Sequence, residues 1–272
     1  MKKDQVFVDS GKRVSDFEFN AEVAEAFDDM LERSIPFYQE QQSMICSLCR
    51  KLWRPGTSVY DIGCSTATTL ISLSRELPAS ARLVGYDNSL PMLERARRSV
   101  AANHVHDRVD LRYGDLNGPL SDLSLENAGV VTMCWTLQFI RPFRRDNLIR
   151  WIYDALADEG ALIVTEKILT SNGHMSRFFI DLYYDFKRQR GYSDTEILRK
   201  REALENVLVP YRLDENVDGF RRNGFEIVET FFQWFNFAGF LCVKNPPALR
   251  NARVGVSTAF SVKGDSDGSK EN

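Results

Sequence analysis

The chain has 272 residues, 43% of them hydrophobic, which is enough to bury a sizeable core, and it carries a formal charge of −3 with a pI near 5.8. That balance supplies no global field for a polyanion, so direct nucleic-acid binding is not expected. No apolar run reaches membrane-spanning length, and Met1 to Ser10 lacks the apolar stretch of a signal peptide, so the expectation is a cytoplasmic protein without membrane contact.

Residues 13–53 read as helical, with Val23, Phe27, Met30 and Leu31 on one stripe and a break at Pro36. Cys46 and Cys49 have a metal-like spacing, but no second pair or nearby histidine completes a site, and both lie within a helical pattern. With Cys64, Cys134 and Cys242 they make an odd, scattered set. Buried free thiols are expected, with neither metal nor disulfides.

From Ser58 the texture changes to short apolar runs alternating with helical stretches. Strands are predicted at Ser58–Ile62, Leu83–Tyr86, Val109–Tyr113, Val130–Met133 and Ala161–Thr165. Helices are predicted at Thr66–Leu77, Pro91–Val100 and Arg144–Ala157. A long helical insert, about 171–210, precedes Glu226–Phe232 and Phe237–Val243, which read as a terminal antiparallel pair. Alternation of this kind implies an α/β fold with a doubly wound, mostly parallel sheet and right-handed crossovers. The predicted organisation is an N-terminal helical segment over 1–53, an α/β domain over 54–247 and a disordered polar tail over 248–272.

The chemistry is written at the strand ends. Asp61-Ile62-Gly63-Cys64-Ser65 closes the first strand with a turn that lets backbone approach a ligand at the carboxyl edge of the sheet. Asp87 ends the second strand, where a carboxylate can accept hydrogen bonds from a ribose diol; capping the next helix is the alternative role. Gly114-Asp115-Leu116 follows the third strand and would put a carboxylate and an amide beside a base. The spacing G-x-G-x-x-G is missing, which argues against a nicotinamide cofactor.

Several strings make the chain resemble the carboxy-S-adenosylmethionine synthase family: RSIPFYQ (33–39), VYDIGCS (59–65), DNSLPMLERARR (87–98), TLQF (136–139), GALIVTEK (160–167), DFKRQRGYSDTEILRKREALENVL (185–208) and QWFNFAGF (233–240). The resemblance implies the class I S-adenosylmethionine (SAM) methyltransferase fold. It implies a ligand held by Tyr38, Gly63, Cys64, Ser65, Asp87, Asn88, Asp115, Leu116 and Arg201. In that family Arg201 would pair with the extra carboxylate of carboxy-SAM, a task that suits a planar guanidinium. By composition alone Arg201, between Lys200 and Glu202, would be a solvated helix charge.

Two departures stand out: Ala67 where relatives often have glycine, and Cys134 where they have an asparagine, so that part of the polar recognition at Cys134 is lost or supplied otherwise. The implied reaction is carboxyl transfer from prephenate to the SAM methyl carbon. It would be performed by a homodimer, without a metal, and its product would be used by a separate tRNA carboxymethyltransferase in wobble-uridine modification. A conventional SAM-dependent methyltransferase acting on a small molecule or RNA, and a noncatalytic binding protein using the QWFNFAGF surface, are the alternatives.

Overall fold

The computed structural model describes residues 3–8 and 15–245; the tail expected to be disordered lies outside the described residues. Two helices, α1 (Ala21–Ser34) and α2 (Tyr38–Leu52), precede the alternating region. There β1 (Ser58–Ile62), α3 (Thr68–Glu76), β2 (Arg82–Asp87), α4 (Leu90–Ala102), β3 (Val109–Tyr113), β4 (Ala128–Cys134), α5 (Pro142–Ala155) and β5 (Leu156–Leu169) follow in turn. Then come α6 (Gly173–Gln189), α7 (Asp194–Leu204), the two-residue β6 (Tyr211–Arg212), α8 (Leu213–Arg222), β7 (Ile227–Trp234) and β8 (Phe237–Val243).

The sheet order is β3-β2-β1-β4-β5-β8-β7, parallel from β3 to β5, with β8 antiparallel to both β5 and β7; β6 pairs with the far end of β5. This is the expected doubly wound sheet with its terminal antiparallel pair. The central strands are buried on both faces, as all five residues of β1 are, because helices cover each side. One core, under α5 and α8, gathers Tyr60, Val84, Met133, Phe220 and Phe240. The other, under α2, α3 and α4, gathers Ile45, Cys49, Leu70, Leu83 and Leu93. Cys46 and Cys49 are buried helix thiols, as their spacing within an apolar stripe implied.

The N-terminal reading is corrected. The chain has no regular secondary structure through 15–20, and α1 begins only at Ala21, where the Asn20 side chain accepts from the Val23 amide at 3.0 Å. Tertiary packing overrides local helical preference here. Phe17 and Phe19 join Phe27 and Met30 in a small apolar cluster, and the strap is pinned at both ends of its course. The Phe17 amide donates to the Ala203 carbonyl of α7 at 2.9 Å, and the Ser89 hydroxyl donates to the Phe19 carbonyl. The strap, α1 and α7 thereby roof the carboxyl edge of the sheet. The stretch 211–222, unassigned in the sequence reading, forms β6 and α8, whose start is closed by Glu215 accepting from the Arg212 amide at 2.8 Å.

Phe240 on β8 is fully buried with its ring centroid 5.6 Å from that of Phe220. Phe240→Ala is expected to cost about 3–5 kcal/mol, read as a lower denaturant midpoint at unchanged slope. A loss below 1 kcal/mol would mean this face of the core can collapse into the space.

Candidate active site

Each strand from β1 to β5 delivers its last residues to one roofed cavity. At β1 the turn needs a left-handed residue directly after Ile62. Gly63 has φ +80, and a Cβ there would lie 2.3 Å from the Thr136 hydroxyl oxygen. Gly63 and Cys64 both donate their amides to the Tyr86 carbonyl, at 2.7 and 2.9 Å. The Ser65 amide donates to Asp87 Oδ2 at 2.9 Å, and the Ser89 amide donates to Asp87 Oδ1 at 2.8 Å. Asp87 is therefore a clasp between the first turn and the start of α4. It is not the helix cap, since that role belongs to Ser89, whose side chain accepts from the Met92 amide. Burial pushes the Asp87 carboxyl up while the amides hold it down, and each oxygen keeps lone-pair capacity toward the cavity it lines.

Ala67, where glycine was expected, sits in the left-handed region at φ 66 and is wholly buried beneath the turn. Its methyl packs into the core with Leu70 and Ile71, and the helix that was expected to begin at Thr66 begins at Thr68 instead. The freed Thr66 hydroxyl donates to Asp28 of α1 at 2.7 Å, tying the roof to the turn.

At the far side of β2, Asn88 donates to Asp115 Oδ1 at 3.2 Å, and the same oxygen accepts from the Asn117 amide at 2.9 Å. Leu116 is buried against the cavity beside them. Tyr38, at the start of α2, is buried with its phenol beside Thr68, and burial pushes its hydroxyl up, so it stays neutral. Cys134 is half-buried at the wall. Burial and the neighbouring Asp61 raise its thiol well above the usual range, leaving it a packing group without nucleophilic character. The structure thus brings Tyr38, Gly63, Cys64, Ser65, Asp87, Asn88, Asp115, Leu116 and Cys134 to one cavity.

Arg201 is not among them. Helix α7 buries Ile197, Lys200 and Ala203, a three-residue spacing, and Arg201 is turned away to solvent. Lys200 faces the cavity instead, with Lys167 from the end of β5, and neither was singled out in the sequence. The apolar stripe of Ile197 and Ala203 is the signal that places Lys200 inside. Burial pushes the Lys167 and Lys200 ammonium groups each down to about 8. Behind them Lys187 of α6 is pushed down to about 6 by burial, then by Lys200 and Lys167.

The donor set suits a nucleoside carrying a cationic centre. Carboxylates at the ends of β2 and β3 can take a diol and a base, Asp61 supplies a third acidic group, and aromatic side chains of the roof exclude water. Among the described residues no cluster could hold a metal ion, and no helix is long and apolar enough to cross a membrane.

Comparison with known proteins agrees with this layout. The profile of a family described as methyltransferase domain matches residues 59–160. The carboxy-S-adenosyl-L-methionine synthase of Methylococcus capsulatus is 46% identical over 245 residues, covering 90% of this chain and 100% of its own. That of Desulfotalea psychrophila is 43% identical, covering 90% of this chain and 99% of its own. Among solved structures, the SAM-dependent methyltransferase SibL in its apo form superposes with a TM-score of 0.57 at 18% identity over 86% of this chain. An O-methyltransferase family protein from Burkholderia thailandensis gives 0.59 at 15% identity over 83%. The chain spans 63% and 60% of those two structures, and at such identities they establish the fold alone.

Asp61 is wholly buried under the turn, accepting from the Thr132 hydroxyl at 2.7 Å, and burial pushes its carboxyl up from 3.8 to about 7, with nearby Asp87 adding to the rise. A raised folded-state value means that the unfolded chain ionises first, so stability falls as pH rises from about 4 to about 7 and is constant above. The loss is on the order of 4 kcal/mol for this group. Asp61→Asn is therefore expected to gain stability relative to the parent across that window, read by urea melts of the ligand-free protein. A difference that stays constant with pH would mean that Asp61 is charged throughout.

Proposed function

The chain belongs to the carboxy-S-adenosyl-L-methionine synthase family, whose members are SAM-dependent transferases, and from that premise we propose that it moves a carboxyl group from prephenate to the SAM methyl carbon. The products are carboxy-SAM, phenylpyruvate and water. The sulfonium of bound SAM acidifies its methyl group, so that carbon can give a proton to the hydroxide that leaves the prephenate ring, forming water, and take up the carbon dioxide released as the ring aromatises. What remains for the protein is to bind, orient and exclude water.

The observation that carries the reading is one roofed cavity with acids at one end and ammonium groups at the other. Asp87 would hold the ribose, with its two oxygens already fixed by the Ser65 and Ser89 amides. Asp115, with Leu116, would take the adenine. The strap with Phe17 and Phe19, closed on Phe139 at 5.3 Å from Phe19, would keep water from the reacting carbon. Cys134 would contribute shape where relatives have an amide. The product would pass to a separate tRNA carboxymethyltransferase acting on a wobble uridine, and the reaction would take place in the cytoplasm. A formal charge of −3 supports leaving the tRNA to that second enzyme.

Arg201 enters this reading through a second copy of the chain. Helix α6 turns Met175 and Phe178 to solvent, and a groove beside it is lined by Phe37, Leu182, Trp234 and Phe235. An apolar surface of that kind supports a homodimer. Arg201, exposed on α7, would then pair with the carboxylate of carboxy-SAM in the neighbouring subunit's cavity.

The protein purified from cells is expected to release, on denaturation, a SAM derivative heavier than SAM by one carboxyl group. Mass spectrometry finding only SAM or S-adenosylhomocysteine, together with methylation of an added acceptor, would favour a conventional methyltransferase. Arg201→Ala is expected to lose about one to two orders of magnitude in affinity for carboxy-SAM while binding SAM unchanged. Where the Arg201→Ala and Asp87→Ala homodimers each make no carboxy-SAM, mixing them in equal amounts should restore about a quarter of parental activity, because each hybrid dimer regains one complete site. No recovery on mixing would assign Arg201 to its own subunit.

A further inference from the structure

Three lysines from three elements converge behind the strand ends, around the rings of Tyr183 and Tyr192. Lys167 Nζ lies 4.7 Å from the Tyr183 ring centre and 5.8 Å from that of Phe237. Lys187 Nζ lies 5.5 and 5.2 Å from the Tyr183 and Tyr192 rings. Lys200 Nζ lies 5.7 Å from the Tyr192 ring and donates to the Ser34 hydroxyl at 3.0 Å. Among the described residues no carboxylate forms an ion pair with any of the three.

The nearest acids are already engaged. Asp4, buried beside them, accepts from the Tyr192 hydroxyl and the Val6 amide, and Glu196 closes the capping box of α7 through the Ser193 amide. Ring faces partly offset buried ammonium charge but do not neutralise it. Lys187, pushed down to about 6, is largely neutral at pH 7, so Lys167 and Lys200 carry the charge; Asp4 offsets it in part, and two ammonium groups held out of water are costly unless a further anion joins them. Lys167 and Lys200 face the cavity, so an anion can reach them from there.

Their position also separates them from the nucleoside end. Lys167, the last β5 residue paired with β8, lies three strands across the sheet from Asp87 on β2, a distance of about 14 Å at ordinary strand spacing. We propose that Lys167 and Lys200 form the seat for the carboxylate that the carboxyl donor keeps, the 2-oxo acid end that survives in phenylpyruvate. This rests on the carboxyl-transfer reading above. Held by that end, the donor presents its other carboxyl group toward the sulfonium end of SAM. The seat is distinct from the role given to Arg201, which concerns the group that moves. Both lysines still carry substantial positive charge at neutral pH, and a bound carboxylate raises that fraction.

Phenylpyruvate, a stable probe that needs no turnover, tests the seat by calorimetry on protein loaded with S-adenosylhomocysteine. Lys167→Met and Lys200→Met are each expected to weaken phenylpyruvate about 10- to 100-fold, and to leave S-adenosylhomocysteine affinity within about twofold. Steady-state assays should place the same change in the KM for prephenate, with the KM for SAM unmoved. Methionine fills the lysine volume and removes a buried charge, so both variants should melt no lower than the parent. Lys200→Arg, which keeps the charge, should recover part of the affinity. Unchanged phenylpyruvate binding in both methionine variants overturns the proposal, as does an equal loss for the nucleoside. If the parent makes no carboxy-SAM yet Lys167→Met still abolishes phenylpyruvate binding, the seat stands and the reaction assigned above falls.

Discussion

One carboxylate sets the geometry on which the cavity depends. Asp87 uses its two oxygens on two backbone amides from different elements, Ser65 in the turn after β1 and Ser89 at the start of α4. The turn it holds is unfavourable by itself, because Ser65 and Ala67 both adopt positive φ. A charge-assisted clasp of this kind offsets that cost and leaves the carboxylate oriented before any ligand arrives. The Thr66 bond to Asp28 then carries the same turn into α1 and the roof. A disturbance at Asp87 therefore reaches the floor and the cover of the cavity together.

The second organising feature is the distribution of buried charge. Asp61, Asp87 and Asp115 line the cavity at β1, β2 and the turn after β3, while Lys167 and Lys200 line it at β5 and α7. The acids are satisfied by backbone amides, a threonine hydroxyl or an asparagine, and the lysines mainly by ring faces and one serine hydroxyl. A fold selected for stability alone would replace those lysines with apolar residues of similar volume. Their presence fits the proposed cavity, which holds a cationic nucleoside and an anionic partner side by side. Polarity, with water excluded, supplies the orientation that the proposed carboxyl transfer requires.

Much of this was legible in the sequence, for identifiable physical reasons. The bounds of β1 and β3 follow from a short, mostly apolar run and an alternating one, each closed by a glycine turn, and the strand-end acids mark the ligand edge because the pattern repeats three times. The strap over 15–20 was misread as helix because Phe17 and Phe19 are drawn out of helical register by the cluster they join, a long-range effect. Only the resemblance points to Arg201, which stands in a run of charges that reads as uniformly solvated. Successive residues in a helix differ by about 100 degrees in direction, so its neighbour Lys200 lies inside while Arg201 lies outside. Lys167 was hidden for a different reason: it follows a run of strand residues buried on both faces, where alternation does not say which side a residue faces.

Isotope transfer tests the central claim most directly, that one cavity joins a carboxyl donor to the SAM methyl carbon. The protein would be supplied with SAM and with prephenate carrying carbon-13 only in its ring carboxyl group, and the nucleoside product would be read by mass spectrometry and carbon NMR. The account predicts that the label arrives as a carboxylate bonded to the former methyl carbon, while the phenylpyruvate formed beside it is unlabelled. Label recovered only as bicarbonate, with the nucleoside still bearing an unsubstituted methyl group, would contradict it.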